Sequence, residues 1–356
     1  MPNIPLLISS VLFIIIGILT IATASTPFAI NEGLSPNYYF VHQLICGFLP
    51  GIILGIIAFL IPLNFFKKYA FWFFVLSYLF MFTVFIPGIG INEGGASRWI
   101  NLFGFSFQPS ELLKITSILY LGALFSSEKI KKPFINFIVA MILIFFALYM
   151  QSDLSTLVTI FTVSIAIFFS ANTKLREMAI ILSGGLISFL ALILLSPYRM
   201  ERVMTLLNPL EDVSGDGYQI NQSLISIGSG GLNGSGLGLS AQKLGFIPES
   251  MSDSIFTIYA EELGFLGCAF LIITLAVFAI YAFNVAKKAN LFGRLLSIGI
   301  ITWLVVQTFI NIGAMTGIIP VTGIPLPFLS YGGSHLIVEL IALGFLLNVS
   351  RPVNNN

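Results

Sequence analysis

The stretch that decides the fold is residues 295–338, LLSIGIITWLVVQTFINIGAMTGIIPVTGIPLPFLSYGGSHLIV, which contains no Asp, Glu, Lys or Arg. An α-helix crosses the hydrocarbon core of a membrane with about 20 mostly apolar residues, so this stretch is long enough for two crossings. Pro320, Pro325 and Pro327 interrupt it, and proline does not continue a helix. The stretch therefore predicts two transmembrane helices joined by a loop.

Uncharged segments of similar length recur along the whole chain. Hydrophobic residues make up 57% of the sequence and charged residues only 9%, which excludes an ordinary water-soluble domain. The other uncharged segments are residues 1–31, 33–66, 69–92, 133–152, 154–173, 178–198, 263–286 and 340–350. A further span over residues 107–126 is apolar except for Glu111 and Lys114. The pattern predicts an all-α polytopic membrane protein, with residues 1–356 forming one domain of ten transmembrane helices.

The basic residues predict how the chain is oriented in the membrane. Short cytoplasmic loops collect Lys and Arg, and eleven of the sixteen fall on one side of the alternating spans. They are Lys67, Lys68, Lys129, Lys131, Lys132, Lys174, Arg176, Lys287, Lys288, Arg294 and Arg351. We expect this side and both termini to be cytoplasmic. Residues 197–254, between the seventh and eighth helices, then form a large extracytoplasmic loop.

Two other sequence features exclude whole classes of function. The formal net charge of +1 offers no basic surface for nucleic acid. Cys46 and Cys268 lie in separate apolar segments, a spacing that suggests neither a disulfide nor a metal site.

The first span has no basic residues before it, so we expect it to be retained as an anchor and not cleaved as a signal peptide.

The predicted outer loop is acidic and rich in glycine. Three basic and six acidic residues in it give a net charge of −3, and residues 227–238 read IGSGGLNGSGLG. Glycine lets a backbone approach another group closely, either a phosphate or sugar ligand or a neighbouring helix. A nucleotide-binding P-loop is excluded, because no Gly-Lys-Ser/Thr sequence ends the run. The two remaining explanations stay open at this stage.

Ionisable residues inside or beside the predicted helices are candidates for function, because burying a charge in a membrane is costly. Glu111 and Lys114 share one helical face and form either a structural ion pair or part of a catalytic site. Asp153 either caps a helix or lines a polar cavity. Asp253 closes the outer loop before the eighth helix, where it acts either as a helix N-cap or as a general base.

Adjacent acidic residues also open the eighth helix. Glu261 and Glu262 point about 100° apart on a helix, so we expect them to serve separate sites, one of them at the membrane interface.

Several motifs, in order and spacing, resemble the SEDS family (shape, elongation, division and sporulation), the peptidoglycan glycan polymerases typified by FtsW and RodA. The resemblance spans nearly the whole chain. It includes ASRWI at 96–100, FQPSE at 107–111, QSDL at 151–154, YR at 198–199, GYQ at 217–219, QK at 242–243, PE at 248–249, SD at 252–253, EELG at 261–264 and PVTGIPLPFLSYGG at 320–333. IPGIG at 86–90 is most similar to the FtsW branch.

The resemblance implies a fold and an activity. The expected protein is a ten-helix enzyme of the bacterial cytoplasmic membrane that joins lipid II units on the outer face and releases undecaprenyl pyrophosphate. Asp253 falls on the proposed catalytic aspartate of the family. The chain has MSDS at 251–254, where the family usually has His-Thr-Asp-Phe around the catalytic residue. It has SDLS at 152–155, where the family usually has Pro-Asp-Leu-Gly.

The chemistry of the implied reaction assigns roles to the other charged residues. Outer cations are expected to hold the pyrophosphate, with a divalent cation, Mg²⁺ or Mn²⁺, beside it, because that leaving group develops charge. The candidate cations are Arg98, Arg199, Arg202 and Lys243. Glu111, Lys114 and Asp153 are expected to line or brace the cavity where the lipid-linked substrate enters, and Glu249 belongs to the same substrate-binding set.

Two alternatives to a polymerase are a lipid II flippase and a non-catalytic scaffold for a transpeptidase. A transporter is expected to show matching broken helices in two halves, and the sequence shows no internal repeat. The presence of Asp253 favours an enzyme over a scaffold. The resemblance also implies a class B penicillin-binding protein as partner, besides lipid II and membrane lipids.

Overall fold

The protein is described by a computed structural model that covers residues 3–93, 96–102, 105–171, 173–209, 212, 215–244 and 250–351. Helices dominate these residues. In chain order they are α1 Ile4–Asn31, α2 Tyr38–Gln43, α3 Leu49–Leu60, α4 Leu63–Met81, α5 Pro109–Phe125, α6 Pro133–Met150, α7 Leu154–Ser170, α8 Leu175–Leu194, α9 Pro197–Leu207, α10 Asp216–Ser229, α11 Ile255–Lys288, α12 Leu291–Met315 and α13 Gly333–Val349. Helices α5, α6 and α9 begin at prolines, whose fixed φ suits the first turn and whose missing N–H has no helical partner there.

Seven helical segments of the described chain are long and apolar enough to cross a membrane. They are α1, Tyr38–Leu60 (α2 and α3 joined by a π-helical turn), Leu63–Phe85 (α4 with a 3-10 extension), α6, α8, α11 and α12. Helices α7 and α13 are shorter but also apolar. The prediction of a mostly helical, multi-pass membrane protein is therefore confirmed.

A small β-sheet between α4 and α5 departs from the all-α prediction. Strands β1 (Gly90–Glu93), β2 (Ala96–Leu102) and β3 (Phe105–Phe107) pair antiparallel in that order. Apolar side chains of this segment, Ile100 and Phe107, pack with Val84 into a separate small cluster. The length of uncharged segments indicates membrane-spanning helices. It does not detect such short strands, whose sequence pattern is the alternation of apolar and polar residues over a few positions.

Glycine allows two central helices to approach each other closely. A Cβ atom at Gly344 of α13 would lie 2.1 Å from the carbonyl oxygen of Gly55 in α3, and one at Gly55 would lie 2.7 Å from the Leu340 carbonyl oxygen. Small residues are the usual means of close helix packing in membranes, where lipid is as apolar as the side chains. The contact anchors α13 within the bundle.

Helix α11 is broken near its start, where the glycine-rich segment of the outer loop packs against it. Gly264 has φ 62° and ψ −161°, and the amides of Phe265 and Leu266 donate to the carbonyls of Gly231 and Leu232 at 2.9 and 3.1 Å. A Cβ atom at Gly234 would lie 2.0 Å from the Glu262 carbonyl oxygen. The glycines thus serve close backbone packing, one of the two explanations left open by the sequence.

Candidate active site beneath the proline-rich loop

Residues 316–332, the loop between α12 and α13, lie where several helix ends meet. Side chains from other elements bind the backbone of this loop one after another. Arg202 of α9 donates to the Val321 carbonyl and Ser155 of α7 to the Thr322 carbonyl, both at 2.8 Å. These bonds satisfy backbone groups of a non-helical segment, which is tolerated at membrane depth only when it is enclosed by protein.

Side chains of α12 and α13 also bind the backbone of this loop. Asn311 and Gln307 donate their amide N–H groups to the carbonyls of Ile324 and Pro325, at 2.8 and 3.0 Å. The amide of Phe328 donates to Glu339 Oε2 at 2.8 Å. The loop is therefore held at five backbone groups between residues 321 and 328.

Asp253 lies against this loop and is half-buried. Its backbone carbonyl accepts a hydrogen bond from Asn311 Nδ2 at 2.6 Å, and its carboxylate Oδ1 accepts one from Ser252 Oγ at 2.7 Å. A Cβ atom at Gly323, which has φ +66°, would lie 3.5 Å from Asp253 Oδ2. Ser254, not Asp253, occupies the N-cap position of α11. The carboxylate is thus positioned beside the loop and does not cap the helix.

Asp153 occupies a different setting. It is the N-cap of α7, where its Oδ1 accepts from the Thr156 amide at 3.1 Å. Its Oδ2 accepts from Ser110 Oγ at 3.3 Å and Gln108 Nε2 at 3.4 Å, and the residue is only 3% exposed. The carboxylate is therefore enclosed, and it joins α7 to the start of α5.

Glu111 and Lys114 form a buried ion pair with an N–O distance of 2.9 Å. Lys114 Nζ also donates to Gln307 Oε1 at 2.9 Å, and Trp303 Nε1 donates to the same oxygen at 2.6 Å. Because Gln307 holds the Pro325 carbonyl, this network connects α5 through α12 to the proline-rich loop. The pair braces the loop from inside the bundle.

The four predicted cations lie in unequal environments. Arg98 of β2 donates to the carbonyls of Gln151 and Ser152, immediately before Asp153. Arg199 donates to the Leu192 carbonyl at 3.1 Å. Both are partly exposed, at the end of the bundle that carries the loop.

Arg202 and Lys243 show the contrast most clearly. Arg202 pairs with Asp216 at 2.9 Å, and these side chains are 29% and 26% exposed. Burial raises the pKa of the Asp216 carboxyl above its ordinary value, while Arg202 acts to lower it. Lys243 pairs with Glu262 and is only 1% exposed, so its charge is already neutralised inside the fold. Glu249 lies outside the described residues.

Glu261 and Glu262 serve separate sites, as expected, and both are buried within the protein. Glu261 accepts from Ser226 Oγ at 2.8 Å and Ser240 Oγ at 2.6 Å, which fastens α10 and the glycine-rich segment to α11. Glu262 binds Lys243 and accepts from Thr23 of α1 at 3.0 Å. The sequence did not indicate this burial, because it depends on the outer loop folding back against α11.

Asn311 and Gln307 hold the proline-rich loop, and sequence reasoning missed both. Both are buried amides in the uncharged stretch of α12, spaced four residues apart on one face. A search for polar as well as charged residues within predicted spans would have found them.

An apolar groove opens beside the site, between α6, α7 and α8. Its volume is about 670 Å³, and almost all of its lining is apolar. Helix α8 buries only Ile181, so much of its surface stands away from the bundle. The lining includes Leu154, which follows Asp153, and Leu192, whose carbonyl accepts from Arg199. The groove therefore reaches the end of the bundle that carries the predicted site.

No cluster of three or more His, Cys, Asp or Glu side chains suited to a metal ion occurs among the described residues. Mg²⁺ is often held by one or two carboxylates together with substrate phosphates and water, not by a complete protein cage. Asp253, half-buried beside the loop, suits that sparse kind of ligation. The site therefore fits a divalent cation only if a phosphorylated substrate supplies most of its ligands.

The chain is therefore a multi-pass helical membrane protein with a polar site under a loop and an apolar groove beside that site. The profile of the family described as "Cell cycle protein", FtsW/RodA/SpoVE, matches residues 4–355. The chain belongs to this family.

Individual relatives agree over nearly the whole length. Stage V sporulation protein E of Bacillus subtilis (strain 168) is 37% identical, over 98% of this chain and 97% of that protein. Probable peptidoglycan glycosyltransferase FtsW of Geobacter metallireducens is 36% identical, over 97% and 93%. The corresponding FtsW of Buchnera aphidicola subsp. Acyrthosiphon pisum is 35% identical, over 94% and 85%.

Solved structures confirm the fold. A chain from work on structural coordination of polymerization and crosslinking by a peptidoglycan synthase complex has a TM-score of 0.83 at 24% identity, covering 100% of this chain and 99% of that one. Rod shape determining protein RodA of Thermus thermophilus has a TM-score of 0.73 at 21% identity, covering 100% and 98%.

Proposed function

We propose that this protein is a peptidoglycan glycosyltransferase that polymerises lipid II into glycan strands and releases undecaprenyl pyrophosphate. Relatives with 35 to 36% identity bear the name of that activity. The observation that carries the assignment to a site is Asp253, a half-buried carboxylate fixed through Asn311 to the proline-rich loop. A positioned carboxylate and partly exposed arginines at the same end of the bundle suit proton abstraction coupled to loss of an anionic leaving group.

The proposed reaction is an inverting sugar transfer. Asp253 takes the proton from the 4-hydroxyl of the acceptor GlcNAc, and that oxygen attacks C1 of the MurNAc that carries pyrophosphate. The new glycosidic C–O bond forms as the C1–O bond to pyrophosphate breaks, and the leaving group carries away the electron pair. Ser252 Oγ, which donates to Asp253 Oδ1, orients the carboxylate, and Oδ2 lies close to Gly323 of the proline-rich loop.

Arg98, Arg199 and Arg202 are proposed to receive the pyrophosphate. Each donates to a backbone carbonyl, so its position is fixed while other N–H groups of the guanidinium stay available. Lys243 has a different role in our proposal, because its ion pair with Glu262 holds the glycine-rich segment in place. A divalent cation, Mg²⁺ or Mn²⁺, would be held by the pyrophosphate with Asp253 nearby and would offset the charge of the leaving group.

The apolar groove between α6, α7 and α8 is proposed to hold the polyprenyl chain of a substrate. Its lining is apolar, whereas Glu111 and Lys114 are closed within the bundle and cannot themselves line a path for a lipid. Arg199 lies at the groove's end, which would bring the pyrophosphate of a lipid in the groove towards the arginines.

The proposed topology has ten spans, with α5, α7 and α13 added to the seven long segments. Both termini then face the cytoplasm. Residues 197–254 lie outside the membrane, and the site around Asp253 opens to that side, where lipid II is polymerised. The positive-inside distribution of Lys and Arg supports this orientation.

A class B penicillin-binding protein is proposed as partner. The structurally similar chain comes from a peptidoglycan synthase complex described as coordinating polymerization and crosslinking. A role in organising the transpeptidase is compatible with catalysis by the same chain.

The test is polymerisation of labelled lipid II by the purified protein, with and without a cognate transpeptidase and with Mg²⁺ or Mn²⁺. We expect glycan strands from the wild type and a polymerisation rate roughly 10²-fold or more lower from folded Asp253→Asn. The same preparations are assayed for lipid II translocation in vesicles. Translocation without strands under every partner and metal condition would replace the polymerase with the flippase. Polymerisation by Asp253→Asn at the wild-type rate would remove the base assignment.

A further inference from the structure

A second cavity lies at the opposite end of the bundle from Asp253. It occupies about 780 Å³ between the start of α4 and the end of α5, together with residues 126–130 that follow α5. Helix α5 begins beside Asp153 and runs away from it, so this cavity is separated from the proposed catalytic site by the length of that helix.

The cavity is basic. Lys67, Lys68 and Lys129 line it, against a single acidic residue, Glu128. Lys67 Nζ donates to the Ser126 carbonyl at 3.0 Å, which fixes the ammonium group at the junction of α4 and α5. That bond uses one of three N–H donors, so two remain for a ligand. Lys68 and Lys129 are exposed at the rim.

One wall of the cavity is aromatic. Phe71 and Tyr120 line it with their ring centroids 6.2 Å apart, and Phe71 is 52% exposed. Phe71 belongs to a segment long and apolar enough to cross a membrane, so its exposed ring faces lipid. A cavity with lysines at its mouth and an aromatic, lipid-facing wall matches an amphiphilic ligand better than a small soluble anion.

We propose that this cavity binds the headgroup of an anionic phospholipid, with the acyl chains along Phe71. Basic pockets between transmembrane helices on the cytoplasmic side are suited to such headgroups, because the anion meets several cations where water is partly excluded. The bound lipid clamps the start of α4 to the end of α5. The bound lipid stabilises α5, the helix that carries Glu111 and Lys114. This role of the cavity does not depend on the polymerase assignment.

The experiment uses the full-length protein in nanodiscs and native mass spectrometry. Wild type is compared with Lys68→Gln/Lys129→Gln. The matched control is Lys287→Gln/Lys288→Gln, which removes the same charge at the end of α11, on the same predicted side of the membrane. Nanodiscs contain phosphatidylcholine with or without phosphatidylglycerol, and a separate arm adds soluble glycerol phosphate or inorganic phosphate in place of the lipid.

We expect the wild type and the control to retain one phosphatidylglycerol and to gain thermal stability from it. The Lys68→Gln/Lys129→Gln variant should bind that lipid roughly tenfold or more weakly, since each lysine near a membrane surface contributes a sizeable share of anionic-lipid affinity. Its unfolding temperature in pure phosphatidylcholine, unchanged from the wild type, shows that the variant folds.

Three results would overturn the proposal. Equal loss of lipid in both lysine variants would reduce the effect to general surface charge. An equal gain in stability from soluble glycerol phosphate or inorganic phosphate would make the cavity a site for cytosolic anions. A Lys68→Gln/Lys129→Gln variant that keeps the lipid would also contradict the proposal.

Discussion

Asp153 and Asp253 each lie just before a helix at the same end of the bundle, yet they differ in burial and in hydrogen-bond partners. Asp153 caps α7, accepts from three partners and is 3% exposed. Asp253 lies one residue outside the N-cap of α11, half-buried and beside Gly323. The enclosed carboxylate of Asp153 joins two helices, whereas the half-buried carboxylate of Asp253 lies beside the proline-rich loop, where a substrate can approach it.

The cations repeat the contrast. Lys243 is enclosed with Glu262, and Arg202 is partly exposed with Asp216. Burying an ion pair removes both charges from water, so neither is free to bind a substrate. Enclosed charges in this molecule therefore hold segments together, and half-buried charges are the candidates for chemistry.

The largest expected effect separates the two aspartates. Asp253→Asn should lower the rate of lipid II polymerisation by roughly 10²–10⁴-fold, the usual contribution of a general base, with little change in unfolding temperature. Asp153→Asn should instead lower the free energy of unfolding by about 1 kcal/mol. An amide is a good N-cap, but its neutral oxygen accepts weaker hydrogen bonds than a charged carboxylate does. Folded Asp153→Asn should keep most of its rate.

Paired polymerisation and thermal-unfolding measurements on both variants in one detergent check this prediction. A rate loss in Asp153→Asn as large as that in Asp253→Asn, without a loss of stability, would break the comparison.

The second expected effect concerns the enclosed ion pair. Glu262→Gln leaves the Lys243 ammonium buried without its counter-charge, which should destabilise the fold by about 3–5 kcal/mol. Replacing both residues, as Lys243→Met with Glu262→Leu, should recover much of that loss. Thermal or denaturant unfolding of the three proteins checks it, and equal instability of the single and double variants would contradict an enclosed-pair role.

The third effect concerns the side chain that joins the Asp253 segment to the loop. Asn311→Ala removes hydrogen bonds to the carbonyls of Asp253 and Ile324, so Asp253 should be held less well. We expect kcat to fall roughly tenfold, equivalent to about 1.4 kcal/mol, with a smaller change in KM. Thr308→Ala is the matched control, since the Thr308 hydroxyl donates to the Leu304 carbonyl within its own helix. Equal kcat losses in both variants would indicate a general effect on α12.

Much of this arrangement could be predicted from the sequence. The uncharged segments located the apolar helices, because the cost of charge in a membrane is local and independent of the tertiary fold. The i,i+3 spacing of Glu111 and Lys114 predicted their ion pair for the same local reason.

The rest depended on contacts between distant segments. The burial of Lys243 requires Glu262 and the glycine-rich segment to meet at the break in α11, and no local pattern carries that information. The glycines at 230–234 suit ligand contact and backbone packing equally well, since both need the absence of a side chain. The β-sheet was missed because its strands are shorter than the segments that hydropathy detects.

The smallest expected effect tests the half-buried pair of Arg202 and Asp216. Burial raises the pKa of Asp216 despite the nearby arginine, so the folded state holds the carboxyl proton more strongly than the unfolded state does. The stability from this group is then fully present below the ordinary aspartate pKa and is lost as pH rises through the higher folded value. Because the pair is partly exposed, the whole effect should be below about 1 kcal/mol. Unfolding curves between pH 3.5 and 7 should show this decline in wild type and not in Asp216→Asn. A wild type that gains stability over the same range, relative to Asp216→Asn, would mean that the ion pair outweighs burial and that Arg202 is less available to a pyrophosphate than proposed.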